Sequence, residues 1–277
     1  MIDPVIFSFT IGGITITLRW YGLLIMAGIL AGSWITEREV RRRGMDTDFI
    51  WDALLVVLPA GVVGARLWYV LNDILGGGTR YLENPARILN IPEGGLHIFG
   101  AILLGGLAAY WLARERGVEI LPLLDSVAPA LLIGQAVARP ANFINQELYG
   151  PPTSLPWGIP ISPEHRLPPW DNLALYPAET TRFHPTFAYE MIWNLTTASL
   201  LLWAVRRYSQ RVQPGAVFAA WLVLAGVGRF LIEFFRPDQP RLPGTDLSYS
   251  RIISALMAVA GLIWLYRLYA PTVLTNK

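Results

Sequence analysis

The run Ala138-Arg139-Pro140-Ala141-Asn142-Phe143-Ile144-Asn145-Gln146-Glu147-Leu148-Tyr149-Gly150 holds the densest set of hydrogen-bonding side chains in the chain. Read as helix, it places Arg139, Asn142, Asn145 and Glu147 within about three turns of one another, directly after an apolar stretch. Charged and amide groups at a membrane edge are costly to dehydrate and need partners or a substrate. A lone arginine there can snorkel to lipid phosphate; four such groups in one short run suit an anion site. A second run, Gly228-Arg229-Phe230-Leu231-Ile232-Glu233-Phe234-Phe235-Arg236-Pro237-Asp238, puts Arg229 and Glu233 at i, i+4 on one helix face. Two readings are open. The pair is a salt bridge that makes an apolar span tolerable, or Glu233 orients Arg229 toward an anion.

Weaker signals surround these. Arg19-Trp20-Tyr21-Gly22 opens an apolar stretch with interfacial aromatics. Arg66, in Gly64-Ala65-Arg66-Leu67-Trp68-Tyr69, stands within reach of a membrane surface, or of a carboxylate inside a helix bundle; Asp52 and Asp125 are poorly placed to be that carboxylate. His184-Pro185-Thr186-Phe187-Ala188-Tyr189-Glu190 enters another stretch, with His184 in a structural role. No zinc-ligand spacing, phosphate-binding Gly-rich loop or Gly-x-Ser-x-Gly is present, so metal hydrolysis and ATP-driven transport have no support.

The elements that must position these groups are set by composition. Of 277 residues 53% are hydrophobic and 15% charged, and the mean hydropathy is +0.42. Soluble domains run to about 25% charged, so the solvent of this chain is lipid. The formal charge of +2 offers no broad basic surface for nucleic acid. The absence of cysteine excludes disulfides and a thiol nucleophile on this chain. The start of the chain lacks the basic region of a cleaved signal peptide. Val5–Leu18 alternates instead, around Gly12-Gly13, as a small hairpin near the bilayer.

Seven stretches approach the roughly 20 apolar residues a spanning helix needs: Tyr21–Thr36, Phe49–Leu71, His97–Ala113, Leu123–Val137, Thr186–Val205, Ala216–Phe235 and Ile252–Tyr269. None is dyad-patterned, so the expected fold is an all-α, seven-transmembrane helix bundle. Arg38, Arg41, Arg42 and Arg43, then Arg114 and Arg116, then Arg206, Arg207 and Arg211 crowd alternate short loops. Positive residues mark the cytoplasmic side. The N-terminus is then extracytoplasmic and the C-terminus, with Arg267 and Lys277, cytoplasmic. Residues 1–277 read as one membrane domain, with outer arms at 1–18 and 72–95. The Pro- and Trp-rich segment 151–185 reads as an extracytoplasmic head, so the chemistry faces outward.

At these residues the sequence resembles the prolipoprotein diacylglyceryl transferase family. That family's pattern Arg-x-x-Asn-Phe-Ile-Asn-x-Glu-x-x-Gly is met at Arg139, Asn142, Phe143, Ile144, Asn145, Glu147 and Gly150. Trp20-Tyr21-Gly22, Gly64-Ala65-Arg66, His184-Pro185…Tyr189-Glu190 and Arg229-Phe230-x-x-Glu233-Phe234-Phe235-Arg236 follow in the family's order. Two positions depart from it. Where the family has His or Tyr at the opening of the third span this chain has Phe99, with His97 two residues earlier; and Ala225 stands where a tyrosine is common.

The resemblance implies a bacterial inner-membrane enzyme that moves the diacylglyceryl group of phosphatidylglycerol to the lipobox cysteine of a prolipoprotein signal peptide, the first step of lipoprotein maturation. The cysteine sulfur attacks a glycerol carbon, a thioether forms and glycerol phosphate leaves, with no metal or cofactor in the scheme. Arg139 and Arg229 are the expected grips on the phosphate, because a guanidinium fork binds two phosphate oxygens and stays charged. Asn142, Asn145, Gly150 and Glu233 complete the lipid site. Glu147, Tyr21 and His97 are the groups that can assist the thiol, and Phe99 is a wall of the lipid pocket. Gly61, Gly64, Gly105 and Gly106 suit lipid tails or helix packing. Two other classes are compatible with parts of the pattern. A non-catalytic lipid-binding paralogue would fit Phe99. A transporter would need internal repeats and mid-membrane polar groups, and neither is seen.

Overall fold

The helices of the computed structural model fall where apolar stretches leave the backbone no hydrogen-bond partner but itself. Residues 2–12, 14–91, 94–237 and 239–270 are described; Gly13 of the expected hairpin turn, part of the 72–95 arm, Asp238 and Lys277 lie outside them. Strands β1 (Val5–Ile11) and β2 (Ile14–Arg19) lead into α1 (Trp20–Arg42), α2 (Asp48–Leu75) and the short α3 (Arg80–Glu83). Then come α4 (Ile98–Glu115), α5 (Ile120–Ala138), the five-residue α6 (Pro140–Ile144), α7 (Thr186–Arg207), α8 (Ala216–Ile232) and α9 (Tyr249–Tyr269). Among the described residues five helical segments are long and apolar enough to cross a membrane: Asp48–Leu75, Ile98–Glu115, Ile120–Ile144, Ala216–Phe235 and Tyr249–Tyr269. The other two long helices, α1 and α7, coincide with the first and fifth expected stretches. They are more polar, because α1 ends in Glu37, Arg38, Glu39, Arg41 and Arg42 and α7 buries Glu190, Asn194 and Thr197.

Several ends differ from the sequence expectation. Arg38, Arg41 and Arg42 belong to the last turns of α1 rather than to a loop, and Arg114, Arg206 and Arg207 likewise end α4 and α7. The reason is local: Arg41 pairs with Glu37 and Arg42 with Glu39, four and three residues apart, and cations favour a helix C-terminus.

The chain divides into two compact units, one made of residues up to Thr36 with those from Leu124 on, the other of Glu37–Leu123. In the second unit α2 packs on α4. Their backbones touch at Gly64 and Gly100, where a Cβ on either glycine would collide with the other's carbonyl. Gly61 and Gly105 also lie in this contact, whereas Gly106 opens on empty space. Arg66, 3% exposed, departs from expectation. Among the described residues it reaches no carboxylate, and it is buried away from the surface. Its guanidinium donates to the carbonyls of Arg87, Ile88, Asn90, Gly94 and Gly95 at 2.5–3.1 Å. The irregular backbone of the arm has carbonyls to spare, and five N–H donors absorb them.

In the first unit the hairpin pairs antiparallel, Phe7 with Leu18 and Ile11 with Ile14, with a register irregularity between Val5 and Phe7. α7 packs on α8 and α8 on α9. The residues α9 buries are Ser254 and Gly261, while Leu256, Val259, Leu262 and Ile263 are exposed. A Cβ on Gly261 would sit 2.6 Å from the Ala219 carbonyl. Small residues inward and large apolar ones outward is the packing of helices in lipid. Asp125, expected away from the polar cluster, caps α8 by accepting the N–H groups of Gly215 (2.8 Å) and Phe218 (2.9 Å). The 151–185 segment packs its Ile161, Trp170 and Phe183 against Tyr149 in one apolar cluster.

Candidate active site

The hydrogen-bond ladder is interrupted at Arg139-Pro140, since proline lacks an N–H, but Arg139 keeps helical backbone (φ −59°, ψ −35°), so α5 runs on into α6. A tight loop follows Ile144. Gln146 and Leu148 adopt left-handed backbone there, at φ 53° and 55°. The loop is fastened at its far end: the Gly150 N–H donates to His184 O at 2.8 Å, and the Thr186 hydroxyl donates to Leu148 O. A Cβ at Gly150 would stand 2.9 Å from Phe235 O and 3.0 Å from both His184 Cβ and Thr186 Cγ2. Only glycine leaves room for three segments at this crossing.

Inside the loop, the amides of Asn142 (2.9 Å) and Asn145 (3.3 Å) both donate to Glu147 Oε1. Asn142 turns its carbonyl oxygen to Arg139 Nη1 at 3.4 Å. Tyr21 lies within electrostatic reach of Glu147 and Arg139. Arg139 Nη2 meets Glu190 Oε2 in a close ion pair. From α8, Arg229 Nη1 reaches the other oxygen of the same carboxylate at 3.2 Å, and Arg236 Nη1 approaches it at 3.7 Å. Arg229 is anchored twice more, to Glu233 Oε2 (2.9 Å) and to Ser250 Oγ (2.9 Å). Glu233, 2% exposed, also accepts the hydroxyl of Ser248, the N-cap of α9, at 2.7 Å.

α7 and α8 are locked close to these groups. Trp193, three residues past Glu190, donates from Nε1 to Leu224 O at 3.0 Å, and Gly228 seats its indole. Of the two readings of Arg229 and Glu233, the ion pair is present, and Arg229 also converges with Arg139. The carboxylate on which they meet, together with Arg236, Ser248 and Ser250, was not marked as functional by the sequence. The available signal was a glutamate inside an apolar stretch, which is expensive without partners.

His184 serves structure. Its Nδ1 lies 3.0 Å from the Tyr189 hydroxyl and its ring meets Phe235 edge-on. Burial holds its imidazole below the ordinary pKa. His97 and Phe99 belong to the second unit. His97 precedes α4 in extended conformation (φ −119°, ψ 126°) rather than standing on the helix. Two residues' separation therefore does not part the rings, which stack at 5.3 Å beside Trp68.

Residues 4–267 match the family described as prolipoprotein diacylglyceryl transferase. The chain belongs to that family. It is 39% identical over 243 residues to the phosphatidylglycerol–prolipoprotein diacylglyceryl transferase of Chloroflexus aggregans, covering 85% of this chain and 78% of the relative. The proteins of the same description from Paenarthrobacter aurescens and Bifidobacterium adolescentis are 39% and 40% identical, covering 94% and 85% of this chain and 80% and 70% of theirs. Membership in this transferase family places the arginine cluster in an enzyme that handles a phosphate-bearing lipid.

Proposed function

We propose that this membrane protein is a transferase that moves the diacylglyceryl group of phosphatidylglycerol onto the cysteine of a prolipoprotein. The observation that carries the assignment of the site is the meeting of Arg139 and Arg229, from two separate signature runs, on one carboxylate. A lipid phosphate entering there finds two guanidinium groups already converged. The cysteine sulfur attacks the glycerol carbon, the S–C bond forms as the C–O bond to phosphate breaks, and the electron pair leaves with glycerol phosphate. Charge on the departing phosphate grows from one toward two. Cations fixed in advance stabilise that growth more than they stabilise the bound lipid, which is what lowers a barrier.

Asn142 and Glu233 hold the two arginines in place, and Gly150 closes the loop behind them. Asn145 supports Glu147, which takes the thiol proton with help from Tyr21; in the second unit, His97 by itself is a candidate acceptor and Phe99 a candidate acyl contact. The topology supporting this chemistry is seven spans in the inner membrane, counting α1 and α7, with the N-terminus and the 151–185 head extracytoplasmic and the C-terminus cytoplasmic. Phosphatidylglycerol enters from the bilayer and the lipobox segment of the signal peptide from the outer face.

Complementation tests the assignment. A bacterium depleted of its own transferase should regain diacylglyceryl-modified lipoproteins when it expresses this chain. Purified protein should convert phosphatidylglycerol and a lipobox peptide to the thioether. Lipid binding without thioether would establish a non-catalytic relative, the reading Phe99 favours. Reporter fusions at Arg43 and Trp170 should fall in opposite compartments.

A further inference from the structure

The carboxylate of Glu190 sits where a phosphate ought to be. Its two oxygens are held by Arg139 on one side and by Arg229 and Arg236 on the other. Two guanidinium groups brought together repel, so an empty phosphate site needs an anion to keep its arginines converged. We propose that Glu190 is a built-in stand-in for the lipid phosphate: it holds Arg139 and Arg229 in the empty enzyme, yields them to phosphatidylglycerol, and takes them back when glycerol phosphate departs. This rests on the transferase reading above and adds how the site loads and empties.

Three features of the cluster suit an exchange rather than a fixed salt bridge. Arg139 and Arg229 have side chains 22% and 31% exposed, so an arriving anion can reach them, whereas Glu190 lies behind them at 8%. Each reachable arginine keeps an anchor that does not depend on Glu190. Arg139 has the carbonyl oxygen of Asn142, and Arg229 has Glu233 and Ser250. Their directions therefore survive the loss of the Glu190 contact. Arg236, 6% exposed, stays against Glu190 Oε1, so the displaced carboxylate is not left as an uncompensated buried charge. A returning Glu190 carboxylate competes with the product for the same arginines and favours its release.

The exchange makes a prediction opposite to that of a structural salt bridge. If Glu190 competes with phosphate, removing its charge strengthens anion binding; if it only braces the arginines, removal weakens it. Glycerol phosphate, inorganic phosphate and a short-chain phosphatidylglycerol are titrated into the purified full chain in detergent, as wild type, Glu190→Gln and Glu190→Asp. Glycerol phosphate should bind Glu190→Gln about tenfold more tightly than wild type, the scale of one competing charge pair. Inorganic phosphate should gain in parallel. Glu190→Asp, whose carboxylate is drawn back by one methylene, should gain in the same direction by about threefold, and it decides the matter alone if Glu190→Gln does not fold. With peptide and lipid present, Glu190→Gln should form about one thioether per enzyme rapidly and then turn over slowly, because the product stays. Unchanged or weaker phosphate affinity in the variants overturns the proposal, as does a gain confined to the lipid with none for the soluble phosphates. The titration needs no turnover. A gain in affinity on a chain that never forms thioether would keep the exchange and sink the transferase reading.

Discussion

Replacing Arg229 by methionine should damage stability and rate by separable routes. Arg229 joins Glu190, Glu233 and Ser250 in one grip, and the Glu233 side chain is 1% exposed. Taking away the guanidinium leaves Glu233 with the Ser248 hydroxyl as its remaining described hydrogen bond. Breaking a buried ion pair from one side costs about 3–5 kcal/mol, because the surviving charge is stranded. Glu190 fares better, since Arg139 and Arg236 remain beside it. Arg229→Met is therefore expected to lose about 3 kcal/mol. In the double variant Arg229→Met/Glu233→Gln no charge is stranded, and Ser248 can still bond the amide. Stability should return to within about 1 kcal/mol of the native chain, as when both partners of a buried bond are replaced together. Turnover should not return. One missing donor at a developing phosphate charge costs about 10²–10³ in kcat, and the double variant lacks the same donor. Arg229→Lys should also be impaired, because a point charge cannot reproduce the fork. Thermal unfolding in detergent and thioether formation from phosphatidylglycerol measure the two effects on the same samples. Recovery of turnover in the double variant, or a loss below about tenfold in Arg229→Met, would refute a role for Arg229 at the phosphate.

Three further outcomes follow from the packing. Gly150→Ala should cost about 1–3 kcal/mol by overpacking the crossing of Leu148–Gly150, His184–Thr186 and Phe235, and should slow turnover by displacing Glu147; unfolding and rate report both. His184 has its pKa lowered by burial, so the unfolded chain binds its proton more readily than the folded one. Its contribution therefore favours folding above the unfolded value of about 6.5 and is lost as pH falls below it. His184→Phe should flatten that acid limb of the stability profile. Phe99→Tyr should change the rate by less than about tenfold if the position is a wall, whereas gain of a required base would raise it by about 10²–10⁴.

Much of the helical scaffold was legible because hydropathy in a lipid solvent is a one-dimensional signal. The ends were less so. Arg41 and Arg42 read as loop because charge was counted without asking what sat one turn back, and Glu37 and Glu39 make helix of them. Arg139, Asn142 and Glu147 stood out because their partners lie within one short run. Glu190 did not, because its partners come from the α5–α6 junction and from α8 and its meaning exists only once Trp193 has locked α7 onto α8. Arg66 was legible as an anomaly but not as a solution. No spacing rule announces that an irregular arm will supply five carbonyl oxygens.

That carbonyl cage orders the birth of the protein. When α2 first enters the bilayer, the residues that will satisfy Arg66 have only just been synthesised and have no fold of their own. An arginine at a helix centre opposes insertion by about 2.5–3.5 kcal/mol and one nearer the end by less, and the helix carries Arg66 in on the strength of its leucines and valines. The debt is settled only after α4 docks, when the His97 N–H bonds the Ala65 carbonyl and draws the arm's end down beside Arg66. A nascent chain arrested before Ile98 lacks that docking and should expose Arg66 to water or lipid headgroups rather than to its own backbone.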